Sequence, residues 1–349
     1  MPAAPVANES GTEIYVGDIF ARTELMGATV FEAGAKTRPN LKVQDGCNHR
    51  CSFCIIPFVR GRSRSLPLEQ AVGEVNALVS AGYREVVISG INLGRWGRDL
   101  PPQPVGDTGL PSASAGPNRL VNLVQAILDR TTLEKLRISS VEPMDWSDEL
   151  IALIAGSPRI AKHAHVPMQS GSDRVLRQMR RQYRPSHYAD RVAKIRDSLP
   201  TAAIGADVMA GFPGETEADF EQTRLMVEQL PFTYLHVFTY SSRPGTPSAE
   251  MPGQVPAPVR KERNRILREI AGQKKLQFMR RFLGQAVEAI TLNVHGQGWT
   301  EALTDNYLKL RLYGRDNSYP SNQWVTAMVE SVTQDTMAGH ILRSEPAAR

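Results

Sequence analysis

Three cysteines are the residues with the clearest chemical purpose. Cys47, Cys51 and Cys54 are the whole cysteine supply of the chain and stand in a C-x3-C-x2-C run, Cys47-Asn-His-Arg-Cys51-Ser-Phe-Cys54. Three thiolates on one tight loop can bind three irons of a cubane, and the missing fourth thiolate leaves one iron with open coordination positions. An open iron can chelate the amino and carboxylate groups of S-adenosylmethionine. Its sulfonium then sits beside a reducing cluster, and one electron cleaves a carbon–sulfur bond to give a deoxyadenosyl radical, with the protein supplying position and exclusion of water. The competing reading is structural zinc. Zinc asks for four protein ligands, usually in pairs such as C-x2-C, and no second pair exists; His49 lies inside the loop and reads as solvent-facing. An internal disulfide framework does not fit cysteines so closely spaced.

A strand must deliver this loop. Short runs rich in β-branched residues recur at Leu41 to Val43, Glu85 to Ile91, Leu136 to Val141, His163 to Met168, Ala203 to Phe212 and Tyr234 to Tyr240. Helical spacing separates them: Leu68, Ala71, Val72, Val75, Leu78 and Val79 form one stripe, with Pro67 in the first turn and Gly82 as the stop. Similar patterns follow at Leu120 to Leu128, Asp148 to Ile154, Tyr188 to Leu199 and Ala218 to Leu230. Strand–helix units in series predict an α/β fold with a parallel sheet, because parallel neighbours need crossover helices. Arg98 to Asn118, rich in proline and glycine, reads as a long surface loop, and Ser241 to Pro258 as a connector. A basic helix is expected over Arg260 to Arg281, its apolar positions Ile266, Leu267, Ile270, Ala271 and Phe278 forming a packing stripe. Short alternating strands then predict a small antiparallel β-barrel over Phe282 to Arg343.

The segment LKVQDGCNHRCSFCIIPFVRGRSRS, Leu41 to Ser65, resembles the signature of the radical S-adenosylmethionine methylthiotransferases, the MiaB, RimO and MtaB group. GINLGRWGRDL from Gly90, RISSVEP from Arg137, HVPMQSGSDRVLRQMRR from His165 and GADVMAGFPGE from Gly205 match in the same order, so the similarity runs from Lys36 to Arg343. The resemblance implies a partial (β/α)6 radical SAM barrel over residues 37–280, one 4Fe-4S cluster and S-adenosylmethionine. By the rule that ligands gather at the carboxyl ends of parallel strands, it also assigns cofactor contacts. Gly90 and Asn92 follow the second strand, Ser139, Ser140 and Glu142 end the third, Gln169 ends the fourth, and Asp207 and Gly211 mark the fifth. Each of these is equally readable as a loop cap or a satisfied buried polar group. Residues 281–343 resemble a TRAM domain, in which Lys309, Arg311 and Arg315 would meet RNA, while Tyr307 or Tyr313 is either a stacking platform or core. Arg60, Arg62 and Arg64 are either a phosphate-binding strip or a solvated loop.

GINLGRWGRDL is closer to the MtaB branch, which implies methylthiolation of C2 of N6-threonylcarbamoyladenosine beside the anticodon, with tRNA as partner and an electron donor such as a flavodoxin or ferredoxin. The family carries a further N-terminal domain whose three cysteines hold a second cluster. No cysteine precedes Cys47, and residues 1–36 look like the linker or remnant joining that domain to the barrel. Two alternatives therefore stand beside methylthio transfer: a radical enzyme without sulfur insertion, and a non-catalytic tRNA-binding remnant.

Composition agrees with an RNA partner without specifying one. Lys and Arg total 41 against 36 Asp and Glu, a net charge of +5. The 41% hydrophobic and 22% charged fractions exclude a disordered chain. No apolar run approaches the roughly 18 residues of a membrane span, and Met1 to Ser10 lacks the charge and apolar regions of a secretion signal. A monomer in the cytoplasm is the expectation.

Overall fold

The computed structural model describes residues 5–7, 13–15, 19–21, 24–25, 37–101, 119–314 and 319–344. A hairpin of β1 (Pro5–Ala7) and β2 (Glu13–Tyr15) opens the chain, a pair too short for its alternation to be legible in sequence. The core then runs β3 (Asn40–Asp45), α1 (Ile56–Val59), β4 (Arg64–Ser65), α2 (Leu68–Ser80), β5 (Glu85–Gly90), α3 (Leu120–Arg130) and β6 (Lys135–Ile138). It continues with α4 (Asp148–Gly156), β7 (His163–His165), α5 (Asp173–Gln178), α6 (Pro185–Ser198), β8 (Ala203–Ala210), α7 (Glu217–Gln229) and β9 (Tyr234–Thr239). The expected loop at Arg98 to Asn118 falls largely outside the described residues.

Two hydrogen-bonded sheets result, ordered β4-β3-β5-β6 and β7-β8-β9. They are stitched into one curved wall by a parallel bridge between Leu136 and Ile160 and by the Val141 amide, which donates to the His165 carbonyl at 3.1 Å. Strands β3, β5, β6, β7, β8 and β9 are thus parallel neighbours in chain order, and β4 is an antiparallel addition at one edge. This is the partial barrel. Strand alternation divides its residues. Leu41, Val43, Val86, Ile88, Leu136, Ile138, Ala164, Val166, Ile204, Ala206 and Val208 point outward and are buried under the helices. Each such burial stabilises by roughly 1.5–3 kcal/mol for a branched side chain. The opposite phase faces the lumen and is polar: Gln44, Glu85, Lys135, Arg137, His163, His165, Asp207, Tyr234 and His236.

Helix α8 (Ala257–Arg280) follows a connector and packs on β9. It leads into a closed barrel of β10 (Ala286–Gly296), β11 (Trp299–Thr304), β12 (Lys309–Tyr313), β13 (Trp324–Val332) and β14 (Met337–Ser344), ordered β10-β11-β12-β14-β13. One pairing departs from the antiparallel expectation: β12 and β14 run parallel, so the barrel is mixed. Closure demands it, because β13 must pair with both β10 and β14. Its core of Ala289, Ala302, Leu310, Leu312, Val325, Ala327, Val329 and Met337 continues into Phe278, Met279 and Phe282 at the end of α8.

The C-terminal barrel plugs the amino-end of the lumen. Tyr307, in a positive-φ turn (67°), stands 4.8 Å ring to ring from His163, and the Arg137 guanidinium lies 5.3 Å over its ring. Asn306 Nδ2 donates to the Thr201 carbonyl at 3.0 Å, and Lys135 meets Asp305 at 3.2 Å. Tyr307 therefore lines the floor of the lumen on one side, while it remains 41% exposed. Among the described residues no helix is long and apolar enough to cross a membrane.

Candidate functional site

The cysteine loop leaves β3 at its carboxyl end, where Gly46 (φ 70°) turns so tightly that a Cβ would lie 2.0 Å from the Arg62 carbonyl oxygen. Only glycine takes that turn without moving the return strand. Backbone bonds then fix the loop: the Cys47 amide donates to Gly61 O, the Ser52 amide to Met179 O and the Cys54 amide to Cys51 O, each at 3.1 Å. Ser52 Oγ also donates to Gln178 O at 2.7 Å.

All three thiols are unpaired and half-buried. Burial pushes the Cys47 and Cys54 thiols up, against the lowering pull of the His49 amide and Asn92 at Cys47 and of the Ile56 amide at Cys54. A bare thiolate is thus disfavoured here, and positive charge such as iron would stabilise it. Donors already surround the sulfurs. The His49 amide lies 3.4 Å from Cys47 Sγ, Asn92 Nδ2 lies 3.6 Å from the same atom, and Arg181 Nη1 lies 3.3 Å from Cys51 Sγ. Three sulfurs, one loop and inward-pointing donors fit a sulfur-ligated cluster, and the geometry offers no fourth thiolate.

Two side chains that sequence inspection missed hold this arrangement. Gln44 is fully buried; its Nε2 donates to Asp45 O at 2.9 Å and Gly46 O at 2.8 Å, and its Oε1 accepts from the Asn92 amide at 2.7 Å. It therefore ties the start of the loop to the end of β5, where a Cβ on Gly90 would come within 2.8 Å of Gln44. Arg181 bonds Cys51 and also pairs with Glu142, and its guanidinium lies 5.0 Å over the Tyr183 ring. The inward phase of Gln44 along β3 was a usable signal. Nothing in the Arg-rich run RQMRRQY singles out Arg181.

Asn92 thus stands beside Cys47, Gly90 lies against Gln44, and Glu142 joins the site through Arg181. Ser139 ends β6 with its amide on Ile88 O at 3.1 Å. The Ser140 hydroxyl is taken by His165 Nδ1 at 2.5 Å, deeper in the lumen. Gln169 (φ 65°) locks β7 to β8 by its backbone, its amide donating to Asp207 O and its carbonyl accepting from the Met209 amide, both at 2.8 Å. Gly211 (φ 78°) gives its amide to Glu215 Oε2 at 2.7 Å, and a Cβ there would meet Arg260 Cγ at 2.2 Å. Asp207 lies between His165 and His236; burial alone would raise its carboxyl, but these imidazoles hold it well below the usual carboxylate range.

The basic features divide. Arg64 is buried and lies 3.9 Å from Asp45, with Arg60 at 3.8 Å, so this strip serves partly as an internal ion pair. Much of the charge on α8 is likewise engaged: Arg263 with Glu215 at 2.7 Å, Arg265 with Glu262 and Glu269, Lys274 with the Glu228 and Leu230 carbonyls, and Lys275 with Asp335 O. On β12, Lys309, Arg311 and Tyr313 face outward, with Arg311 4.7 Å over the Trp299 ring. Arg315 lies outside the described residues.

The model of the radical SAM superfamily matches residues 41–227, which contain the cysteine loop and strands β3 to β8. The chain is 39% identical over 316 residues to the threonylcarbamoyladenosine tRNA methylthiotransferase MtaB of Rickettsia prowazekii (strain Madrid E), covering 88% of this chain and 72% of that protein. It is 34% identical over 322 residues to MtaB of Bacillus subtilis (strain 168), covering 86% and 67%. With the tRNA-2-methylthio-N(6)-dimethylallyladenosine synthase of Saccharopolyspora erythraea it shares 38% over 261 residues, covering 75% of this chain but 50% of that protein. A cysteine loop at the carboxyl end of the first of six parallel strands, matched by that model and by these relatives, makes the chain a member of the radical SAM superfamily, related to the MtaB and MiaB methylthiotransferases.

Proposed function

We propose that this chain is a tRNA-modifying radical SAM enzyme of the MtaB-like methylthiotransferase branch, acting at C2 of N6-threonylcarbamoyladenosine next to the anticodon. The observation that supports it most is the cysteine loop with its donor shell of His49, Asn92 and Arg181. Cys47, Cys51 and Cys54 would hold one 4Fe-4S cluster, which supplies the electron that cleaves bound S-adenosylmethionine. Around it the chain's own residues act by position. Gln44 fixes the loop against the end of β5, and Arg181 neutralises sulfur charge while anchored by Glu142. Gly90, Asn92, Ser139, Ser140, Glu142, Gln169, Asp207 and Gly211 are the proposed cofactor neighbours. Ser140 reaches the lumen mainly by orienting His165, and Gly211 by shaping a turn.

A second reading keeps the radical chemistry and drops sulfur insertion by this chain alone, because all three of its cysteines lie in one loop. Nucleoside mass spectrometry separates the two. Reconstituted chain is incubated with tRNA bearing threonylcarbamoyladenosine, S-adenosylmethionine and reductant. A methylthio product supports transfer by the chain itself, whereas 5′-deoxyadenosine without that product supports the second reading. Formation of neither the methylthio product nor 5′-deoxyadenosine would refute radical chemistry altogether.

A further inference from the structure

Midway down the lumen three side chains converge, one of them the proposed cofactor neighbour Asp207. Asp207 of β8 is in register with His236 of β9, and His165 of β7 is in register with Gly205, two residues before Asp207 and on the same face. Strand alternation therefore aims all three into one space. Asp207 Oδ1 lies 3.4 Å from His165 Nε2 and 3.3 Å from His236 Nδ1, and the three ligand atoms fall within 4.8 Å of one another.

The separations are informative. Bonds of about 2.0–2.1 Å at a tetrahedral angle put neighbouring nitrogen and oxygen ligands about 3.3–3.4 Å apart. A second sign is His165 itself, 6% exposed, whose Nε2 lies 3.4 Å from the carboxylate without the alignment of a hydrogen bond. A buried ring nitrogen left so is costly unless something else occupies its lone pair. Its other nitrogen, Nδ1, is fixed by Ser140 Oγ at 2.5 Å, the outer contact that orients a ligating imidazole.

We propose that His165, Asp207 and His236 form a divalent transition-metal site of the zinc class, with nitrogen and oxygen ligands only and one coordination position open to the lumen. Imidazole with carboxylate selects zinc or a similar first-row ion over calcium or magnesium. Three protein ligands leave the fourth tetrahedral position open, and the His236 side chain is 54% exposed. The site is separate from the cysteine loop in its residues and in the softness of its ligands.

The test uses the whole chain with its iron–sulfur cluster assembled, equilibrated anaerobically with zinc and desalted. Metal analysis should find about one zinc per chain, and X-ray absorption at the zinc edge should show nitrogen and oxygen at about 2.0–2.1 Å with no sulfur near 2.3 Å. Ser140→Ala should weaken zinc affinity by about 10–100-fold, and Asp207→Asn or His236→Gln by at least as much, with iron content unchanged. Because His236 is half-exposed, His236→Gln decides the matter should Asp207→Asn fail to fold. Absence of bound zinc, zinc bound by sulfur, or affinity unaltered in His236→Gln would overturn the proposal. Neither tRNA nor turnover enters the measurement, so its failure leaves the proposed function untouched.

Discussion

At the scale of single residues, the site depends on buried polar side chains that bond both the cysteine loop and its surroundings. Gln44→Leu would strand the Asn92 amide and the Gly46 carbonyl in a buried place, a loss of about 1–3 kcal/mol for each group left unpaired. We expect a lower denaturation midpoint and faster loss of iron; unchanged stability would show that the loop does not lean on this residue. Arg181 works differently. Its Nη1 donates to Cys51 Sγ, and donors to cluster sulfurs raise the reduction potential. Arg181→Met should retain iron yet shift the potential to a more negative value, read by redox titration, and an unshifted potential would remove Arg181 from the account. These two residues also mark where sequence reading stops. Period-two alternation along LKVQD points Gln44 inward, whereas Arg181 is one arginine among several and acquires its place only when α5 is brought against the loop.

Elements show the same division. All six core strands were legible as β-branched runs because their outward faces must be apolar against the helices, and α2 and α3 were legible by their stripes. The mixed barrel was not, since the parallel β12–β14 pair joins distant strands whose local patterns are those of any antiparallel strand. Nor was the engagement of α8, where Arg263 reaches residues more than 40 positions away. The start of α7 carries a prediction. Thr216 and Asp219 form a reciprocal cap, and Asp219 also takes bonds from Ser172 and Arg174. Burial would raise its carboxyl, but these bonds hold it well below the usual range. A carboxyl depressed in the folded state stabilises above its unfolded value of about 3.9 and loses that contribution as pH falls through the folded value. Unfolding free energy should therefore drop as pH falls below about 4, and Asp219→Asn should flatten that acid limb while costing about 1–3 kcal/mol at neutral pH. An acid limb equally steep in the variant would contradict this.

For the molecule as a whole, the two barrels share a seam in which Phe278, Met279 and Phe282 belong to the C-terminal core and Tyr307 to the floor of the lumen. Deleting the C-terminal barrel would expose that seam, so RNA binding is better tested by charge reversal on its outer face. Lys309→Glu with Arg311→Glu should weaken tRNA binding and reduce the salt slope by about 0.7–0.9 for each phosphate that is no longer neutralised. An unaltered slope would move the RNA surface elsewhere. The narrower proposal is that the loop of Cys47, Cys51 and Cys54 would hold one cluster with an iron left open to S-adenosylmethionine. Its most direct test is electron paramagnetic resonance of the anaerobically reconstituted and reduced chain, with iron counted on the same sample. The expected result is about four irons per chain, a cluster signal that changes when S-adenosylmethionine is added, and loss of both in Cys51→Ala. A full signal in Cys51→Ala, or a wild-type signal indifferent to S-adenosylmethionine, would contradict it.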